Sequence, residues 1–139
     1  MEYTAEDLRR INDNSLYRTL GIEVLEAAGG NVRSRLTPAR EVCWPFPGQP
    51  HGGVLFTLMD TSLAWCVLTH VDPGHNCATI HLDISYTARA SGPWFICTAK
   101  VAHRTRGLSF VRGEIRDQND RLVAQAQGTF RVIKSDVVL

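Results

Sequence analysis

From Gly52 to about His70 the chain reads as one helix with apolar residues around most of its circumference: Val54, Leu55, Phe56, Leu58, Met59, Leu63, Ala64, Trp65, Val67 and Leu68. Beyond the opening Gly52-Gly53 it contains no glycine or proline. A helix apolar on all sides has to be buried. Thr57, Asp60 and Thr61 break the stretch too often for it to span a bilayer, so the rest of the chain must cover it. With 139 residues and 44% hydrophobic composition, there is enough apolar material for one compact core.

What covers the helix is strand. "LGIEVLEAAGGNVRSRLTP" alternates apolar and polar residues on either side of Gly29-Gly30, the pattern of a hairpin. After a turn at 72–76, "CATIHLDISYTA", "WFICTAKVAHRT", "LSFVRGEIRD" and "RLVAQAQGTFRVI" follow, separated by turn signals at Ser91-Gly92-Pro93, Arg106-Gly107 and Gln118-Asn119-Asp120. Four sequential strands predict an antiparallel meander. Before the hairpin, "YTAEDLRRINDNSL" opens with Thr4 and Asp7 spaced as a capping box, which predicts a short first helix. The expected architecture is α+β, a single domain over 1–139 in which an antiparallel sheet wraps one long central helix. A helix of about 18 residues is roughly 27 Å long, enough to cover one sheet face.

Charge and cysteines narrow the function classes. Net charge is +1, which makes no case for nucleic-acid binding. The sign is uneven: residues 1–88 hold six Lys/Arg against ten Asp/Glu, and residues 89–139 hold nine against four. The basic part is either solvated strand face or a site for an anionic, phosphorylated ligand. Cys43, Cys66, Cys77 and Cys97 show no C-x-x-C spacing, and the charged N-terminus does not read as a leader, so a soluble protein of the reducing cytoplasm is expected. There is no G-x-S-x-G and no phosphate loop, and His70, His75 and Cys77 lack the paired spacing of a zinc site. Neither a metal nor a cofactor is expected.

Asp60 carries the chemistry. A carboxylate among Leu58, Met59, Leu63 and Ala64 either lies on a narrow solvent-facing stripe with Thr57 and Thr61 or is drawn into a pocket. His51-Gly52-Gly53 stands at the start of the same helix, where glycines let a ligand approach free backbone N–H groups and the helix dipole favours negative charge. A polarised acyl oxygen suits that position.

"HGGVLFTLMDTSLAWC" resembles the helix entry of the hotdog-fold acyl-CoA thioesterases, in the PaaI-like branch of the 4-hydroxybenzoyl-CoA thioesterase superfamily. "ATIHLDISYTARA" and "AHRTRGLSFVRGEIRDQNDRLVAQAQGTFRV" resemble the later strands of that family; only the first ~20 residues have no distinctive counterpart. The resemblance implies hydrolysis of an acyl-CoA, with Asp60 as nucleophile or general base and the Gly52 N–H polarising the thioester carbonyl. It also brings in His51, and Thr79 to position water or the acid. The family usually has Asn or Gln six residues before the histidine. Here Pro45 stands there, and Gln49 is the candidate substitute. "FPGQP" also resembles the loop of hotdog dehydratases, a less favoured alternative, and a non-catalytic acyl-CoA-binding hotdog is a second. Gly53, Trp44 and Phe46 are expected to line the substrate site, with Arg104 and Arg106 meeting the phosphates of coenzyme A.

Gly52 and Asp60 are eight residues apart, about 12 Å along one helix, too far for both to act on one carbonyl. A homodimer with antiparallel helices would pair the Asp60 of one chain with the Gly52 of the other, and the family often pairs again as tetramers.

Overall fold

The computed structural model describes residues 1–135. Helix α1 (Ala5–Asn12) begins at Thr4, whose side chain accepts from the Asp7 N–H while the Asp7 carboxylate accepts from the Thr4 N–H, the expected capping box. The N-terminal helical region is two helices rather than one. Asn14 accepts from the Tyr17 N–H through its side chain and starts α2 (Ser15–Leu20), because a short amide side chain bonds its own backbone more readily than it continues a helix. Gly21 ends α2 at φ 85°, and a β-carbon there would stand 1.8 Å from the Thr37 carbonyl oxygen.

The predicted hairpin follows as β1 (Ile22–Ala28) and β2 (Asn31–Leu36), joined through Gly29 and Gly30 at φ 52° and 81°. A 3-10 turn (Arg40–Val42) and a tight loop lead to α3 (Gly52–Leu68), the central helix. The remaining strands are β3 (His75–Tyr86), β4 (Phe95–Arg104), β5 (Leu108–Asp117) and β6 (Leu122–Lys134).

The sheet has six antiparallel strands in the order β1-β2-β4-β5-β6-β3. The expected four-strand meander is therefore realised only as β4-β5-β6. Strand β2 occupies the side of β4 that a meander would give to β3, from Asn31 opposite Lys100 to Leu36 opposite Phe95. The free edge is that of β6, and β3 pairs there over its whole length, from His75 opposite Lys134 to Tyr86 opposite Ala124.

Helix α3 lies on the inner face of the sheet. Leu55, Leu58, Met59, Leu63, Cys66 and Val67 are buried against Leu36, Phe95, Cys97, Val111, Ile115 and Phe130. Two glycines let it come close. A β-carbon at Gly113 would meet the Met59 sulfur at 2.5 Å, and one at Gly128 would meet Leu63 at 3.1 Å. One polar pair is enclosed in this interface: Ser62 Oγ donates to the Leu58 carbonyl at 2.7 Å and accepts from Ser34 Oγ at 2.5 Å, so both hydroxyls are satisfied.

The sheet does not surround the helix. Gly53 and Phe56 are exposed and Thr57, Asp60, Thr61 and Ala64 half-buried, a stripe at helical spacing along α3 whose Asp60 and Ala64 lie beside the edge strand β3.

Candidate functional site

The stripe and the entry of α3 hold Asp60, His51, Gly52 and Gly53. The proline-rich segment before the helix is a closed loop: Cys43 pairs with Pro50 as an isolated bridge, the Trp44 N–H donates to the Gln49 carbonyl at 2.9 Å, and the Gly92 N–H donates to that of Gly48 at 2.8 Å. Trp44 and Phe46 project from it, 51% and 61% exposed. The Trp44 ring lies 4.8 Å from that of His51.

His51 is the N-cap of α3. Its Nδ1 accepts from the Gly53 N–H at 2.8 Å, and its carbonyl accepts from the Val54 N–H, also at 2.8 Å. The Leu55 N–H donates to the same carbonyl at 3.4 Å, so three of the four first-turn donors are used. The Gly52 N–H has no acceptor among the described residues, and it stands at the positive end of a 17-residue helix.

Asp60 is two turns further on, in the stripe. Its Oδ1 accepts from Thr79 Oγ1 of β3 at 2.8 Å; Oδ2 has no partner among the described residues. The structure thus brings Asp60 and Thr79 together. Cys77, two residues earlier on β3, points its thiol at the Ala64 carbonyl, 3.7 Å away. Burial, and secondarily the charge of Asp60, push that thiol up to about 12, so it is protonated at neutral pH. On the other flank Trp65 Nε1 donates to Tyr17 Oη of α2 at 2.8 Å, and the Tyr17 phenol is raised chiefly by burial.

The other candidates are dispersed. Gln49 Oε1 accepts from Arg89 at 2.6 and 3.1 Å, and Arg89 also lies 5.9 Å from the centre of the Phe46 ring. The Gln49 side chain is thereby tied to the loop after β3. Arg104 Nη1 reaches the His70 carbonyl at 3.4 Å, which puts it at the opposite end of α3 from Gly52 within one chain; Arg106 is exposed in the β4–β5 turn. Three neighbours were not anticipated from sequence: Tyr86, whose hydroxyl donates to the Gly52 carbonyl at 2.7 Å, Arg89 and Tyr17. Each meets the site through contacts more than thirty residues apart, for which no local signal exists.

Among the described residues no group of three His, Cys, Asp or Glu is placed to hold a metal ion, and no helix is long and apolar enough to cross a membrane. A broad concavity of about 920 Å³ lies on the outer face of the sheet, among Arg33, Lys100, Arg112 and Asp83; it is separate from Asp60.

Comparison with known proteins shows the family and the fold. The family model of the thioesterase superfamily matches residues 48–124, which include the end of the loop, all of α3, β3, β4 and β5 and the first residues of β6, and the chain belongs to that superfamily. A Halobacterium salinarum protein named as an esterase is 30% identical over 136 residues, spanning 91% of this chain and 89% of its own. Among solved structures, a thioesterase of Haemophilus influenzae superposes with a TM-score of 0.87 at 20% identity, covering 97% of this chain and 94% of that one. The PaaI protein of the phenylacetic acid degradation operon of E. coli gives 0.81 at 21% identity, covering 94% and 92%. The fold is the hotdog fold of these thioesterases, as the helix entry and strand pattern led one to expect, and the general chemistry of the family is thioester hydrolysis.

Proposed function

We propose that the chain hydrolyses an acyl-CoA thioester, in the manner of the PaaI-like branch, at a site built from two copies. The observation that carries this reading is the pairing of Asp60 with Thr79 on the uncovered stripe of α3, on the same helix as a Gly52 N–H that no described residue uses. The acyl oxygen rests on the Gly52 N–H of one chain. Asp60 of the other chain either adds to the thioester carbon or takes a proton from water that adds there. In the first route the C–S bond breaks as an acyl–Asp60 anhydride forms, and water then hydrolyses the anhydride to the acid and the free carboxylate. In the second, water oxygen goes directly into the acid as the C–S bond breaks. In both, coenzyme A leaves as a thiolate that takes up the proton released by that water. Thr79 fixes one carboxylate oxygen and leaves Oδ2 for the reaction.

The uncovered stripe and the open edge of β3 support the two-chain site. Strand β3 has no buried residue, and Ile80 is 58% exposed. Joining two such edges about a two-fold axis sets the α3 helices antiparallel. The C-terminal half of each α3 then extends past the N-terminus of the other, and Arg104, beside the His70 carbonyl at that end, and Arg106 are the candidates to meet the phosphates of coenzyme A. Trp44, Phe46 and Gly53 line the entry.

Asp60→Asn tests the reading, with a panel of acyl-CoAs and a free-thiol readout. Hydrolysis should fall by about 10²-fold or more while acyl-CoA binding and the melting temperature stay near wild type. Wild-type turnover in the variant would reject the assignment. Because Pro45 provides no amide and Gln49 is held by Arg89, one other outcome is informative: binding without turnover in the wild-type chain would make it an acyl-CoA-binding hotdog protein.

A further inference from the structure

Strand β3 touches α3 at a second point. Tyr86 Oη donates to the Gly52 carbonyl at 2.7 Å, and its ring lies over the Gly52 α-carbon, since a β-carbon built there would be 3.4 Å from Cζ and 3.5 Å from Oη. Burial raises the phenol, which keeps it a donor at neutral pH. The carbonyl of a residue in the first turn can be satisfied by the helix itself. The bond from Tyr86 therefore acts as a tether rather than as satisfaction of an orphan group.

Its location gives the tether a role. Gly52 has a wider choice of φ and ψ than any other residue type. The peptide after it is held at both ends, its carbonyl by Tyr86 and its N–H by His51 Nδ1. The peptide before it carries the Gly52 N–H, and its carbonyl, that of His51, is held by the Val54 N–H. With both peptides pinned, the direction of the Gly52 N–H is fixed. An oxyanion donor works only when it is aimed beforehand, because it must cost no reorganisation at the moment of reaction.

We propose that Tyr86 is a positioning residue: by anchoring the Gly52 carbonyl it keeps the Gly52 N–H aimed at the thioester oxygen, in the site completed by the partner's Asp60. This rests on the function proposed above. It makes β3 the strand that sets both halves of the chemistry, through Thr79 for the Asp60 of its own chain and through Tyr86 for its own Gly52. Under the two-chain reading these two groups serve different sites.

Tyr86→Phe keeps the ring and removes the tether. It should lower kcat for acyl-CoA hydrolysis about tenfold, a fraction of what losing an oxyanion donor costs, with KM within about twofold. Amide hydrogen exchange at Val54 and Leu55 should quicken as the first turn loosens. An unchanged kcat overturns the proposal, and so does a raised KM at unchanged kcat, which would make Tyr86 a substrate contact. Refolding Tyr86→Phe together with Asp60→Asn locates the effect. In the mixed dimer one site pairs an intact Gly52–Tyr86 with an intact Asp60, so total activity should reach about a quarter of wild type with random mixing. Activity near about a twentieth would mean that Tyr86 acts on the Asp60 of its own chain, which overturns the assignment. Should the wild-type chain hydrolyse no thioester, it is the function that fails, and the exchange measurement still decides the tether: unchanged protection of Val54 and Leu55 in Tyr86→Phe rejects it.

Discussion

At one edge of the sheet β1 has seven residues, of which Ile22, Val24 and Ala27 are buried; at the other edge β3 has twelve and none is buried. Both are edge strands, with a row of backbone groups on one side left without a strand. The chain finishes the first edge itself. Glu2 bridges to Ala28, and the Tyr3 N–H donates to the Ala27 carbonyl at 3.0 Å. Asn12 of α1 then does for Val24 what a neighbouring strand would do, donating to its carbonyl at 2.9 Å and accepting from its N–H at 2.8 Å. Nothing comparable covers β3 among the described residues, although that is where Thr79 meets Asp60 and Tyr86 meets Gly52. The difference separates the two tasks of the sheet under the function proposed above: the closed edge holds the fold, and the open edge carries the proposed site and the surface for a second copy.

The largest effect should come from spoiling the open edge. Ile80→Glu would place like charges near one another across a two-fold axis, which destabilises paired strands. Hydrolysis should fall on the order of a hundredfold, in step with dimer dissociation in sedimentation, because under the two-chain proposal a monomer lacks a complete site. Glu23→Gln, an exposed change on β1, should leave both assembly and rate unaltered. A fully active Ile80→Glu monomer would end the contrast between the edges.

A smaller loss is expected inside the site. Thr79→Val removes the hydroxyl that fixes Asp60 and should lower kcat about tenfold, whereas Thr79→Ser should restore most of the rate. Assembly should not change in either variant. Equal rates for the valine and serine variants would show that the 2.8 Å bond does not orient the carboxylate.

At the closed edge the same kind of change should read out as stability alone. Asn12→Ala leaves the Val24 N–H and carbonyl without their partner, at a cost of about 1–3 kcal/mol. The melting temperature should fall while kcat per folded chain stays constant. A fall in kcat at unchanged melting temperature would mean that β1 communicates with the site, and the division of tasks would be wrong.

Local chemistry was legible in the sequence, and long-range pairing was not. The burial of α3, the Gly29-Gly30 turn and the Thr4–Asp7 box each depend on residues within a few positions of one another, so periodicity and spacing suffice. The stripe holding Thr57, Asp60 and Thr61 was one of the two placements of Asp60 that periodicity allowed. The place of β3 was not, because four similar strands in sequence are compatible with more than one neighbour order, and the choice depended on β2 taking the side of β4 that a meander would give to β3. Moving β3 also moves Thr79, Cys77 and Tyr86. The partners of Asp60 and Gly52 could therefore not be derived from spacing, and only the resemblance to known thioesterases pointed to Thr79. The break between α1 and α2 was readable in principle from Asn14, a residue suited to an N-cap, but apolar periodicity runs through it from Leu8 to Leu16.

The smallest predicted effect concerns the capping box that anchors α1 over the closed edge. Asp7 accepts from Thr4 Oγ1 at 2.7 Å, from the Thr4 N–H at 2.9 Å and from Arg10 at 2.6 Å. The Thr4 hydroxyl, then the Thr4 backbone and Arg10, hold the carboxyl down to about 2. In the unfolded chain it titrates near its ordinary value of about 3.9. A carboxyl depressed by folding stabilises the fold fully above the unfolded value, and the contribution is lost as pH falls toward the folded one. Acidifying from pH 4 to pH 2 should therefore loosen the first turn of α1 while β1 stays held by Asn12. The Thr4 amide resonance should shift with a midpoint near pH 2, and Asp7→Asn should abolish that titration. A midpoint near 4 would show that the box is not formed in solution. The closed edge would then depend on Asn12 and the Glu2 bridge alone, and Asn12→Ala should cost more than the range given above.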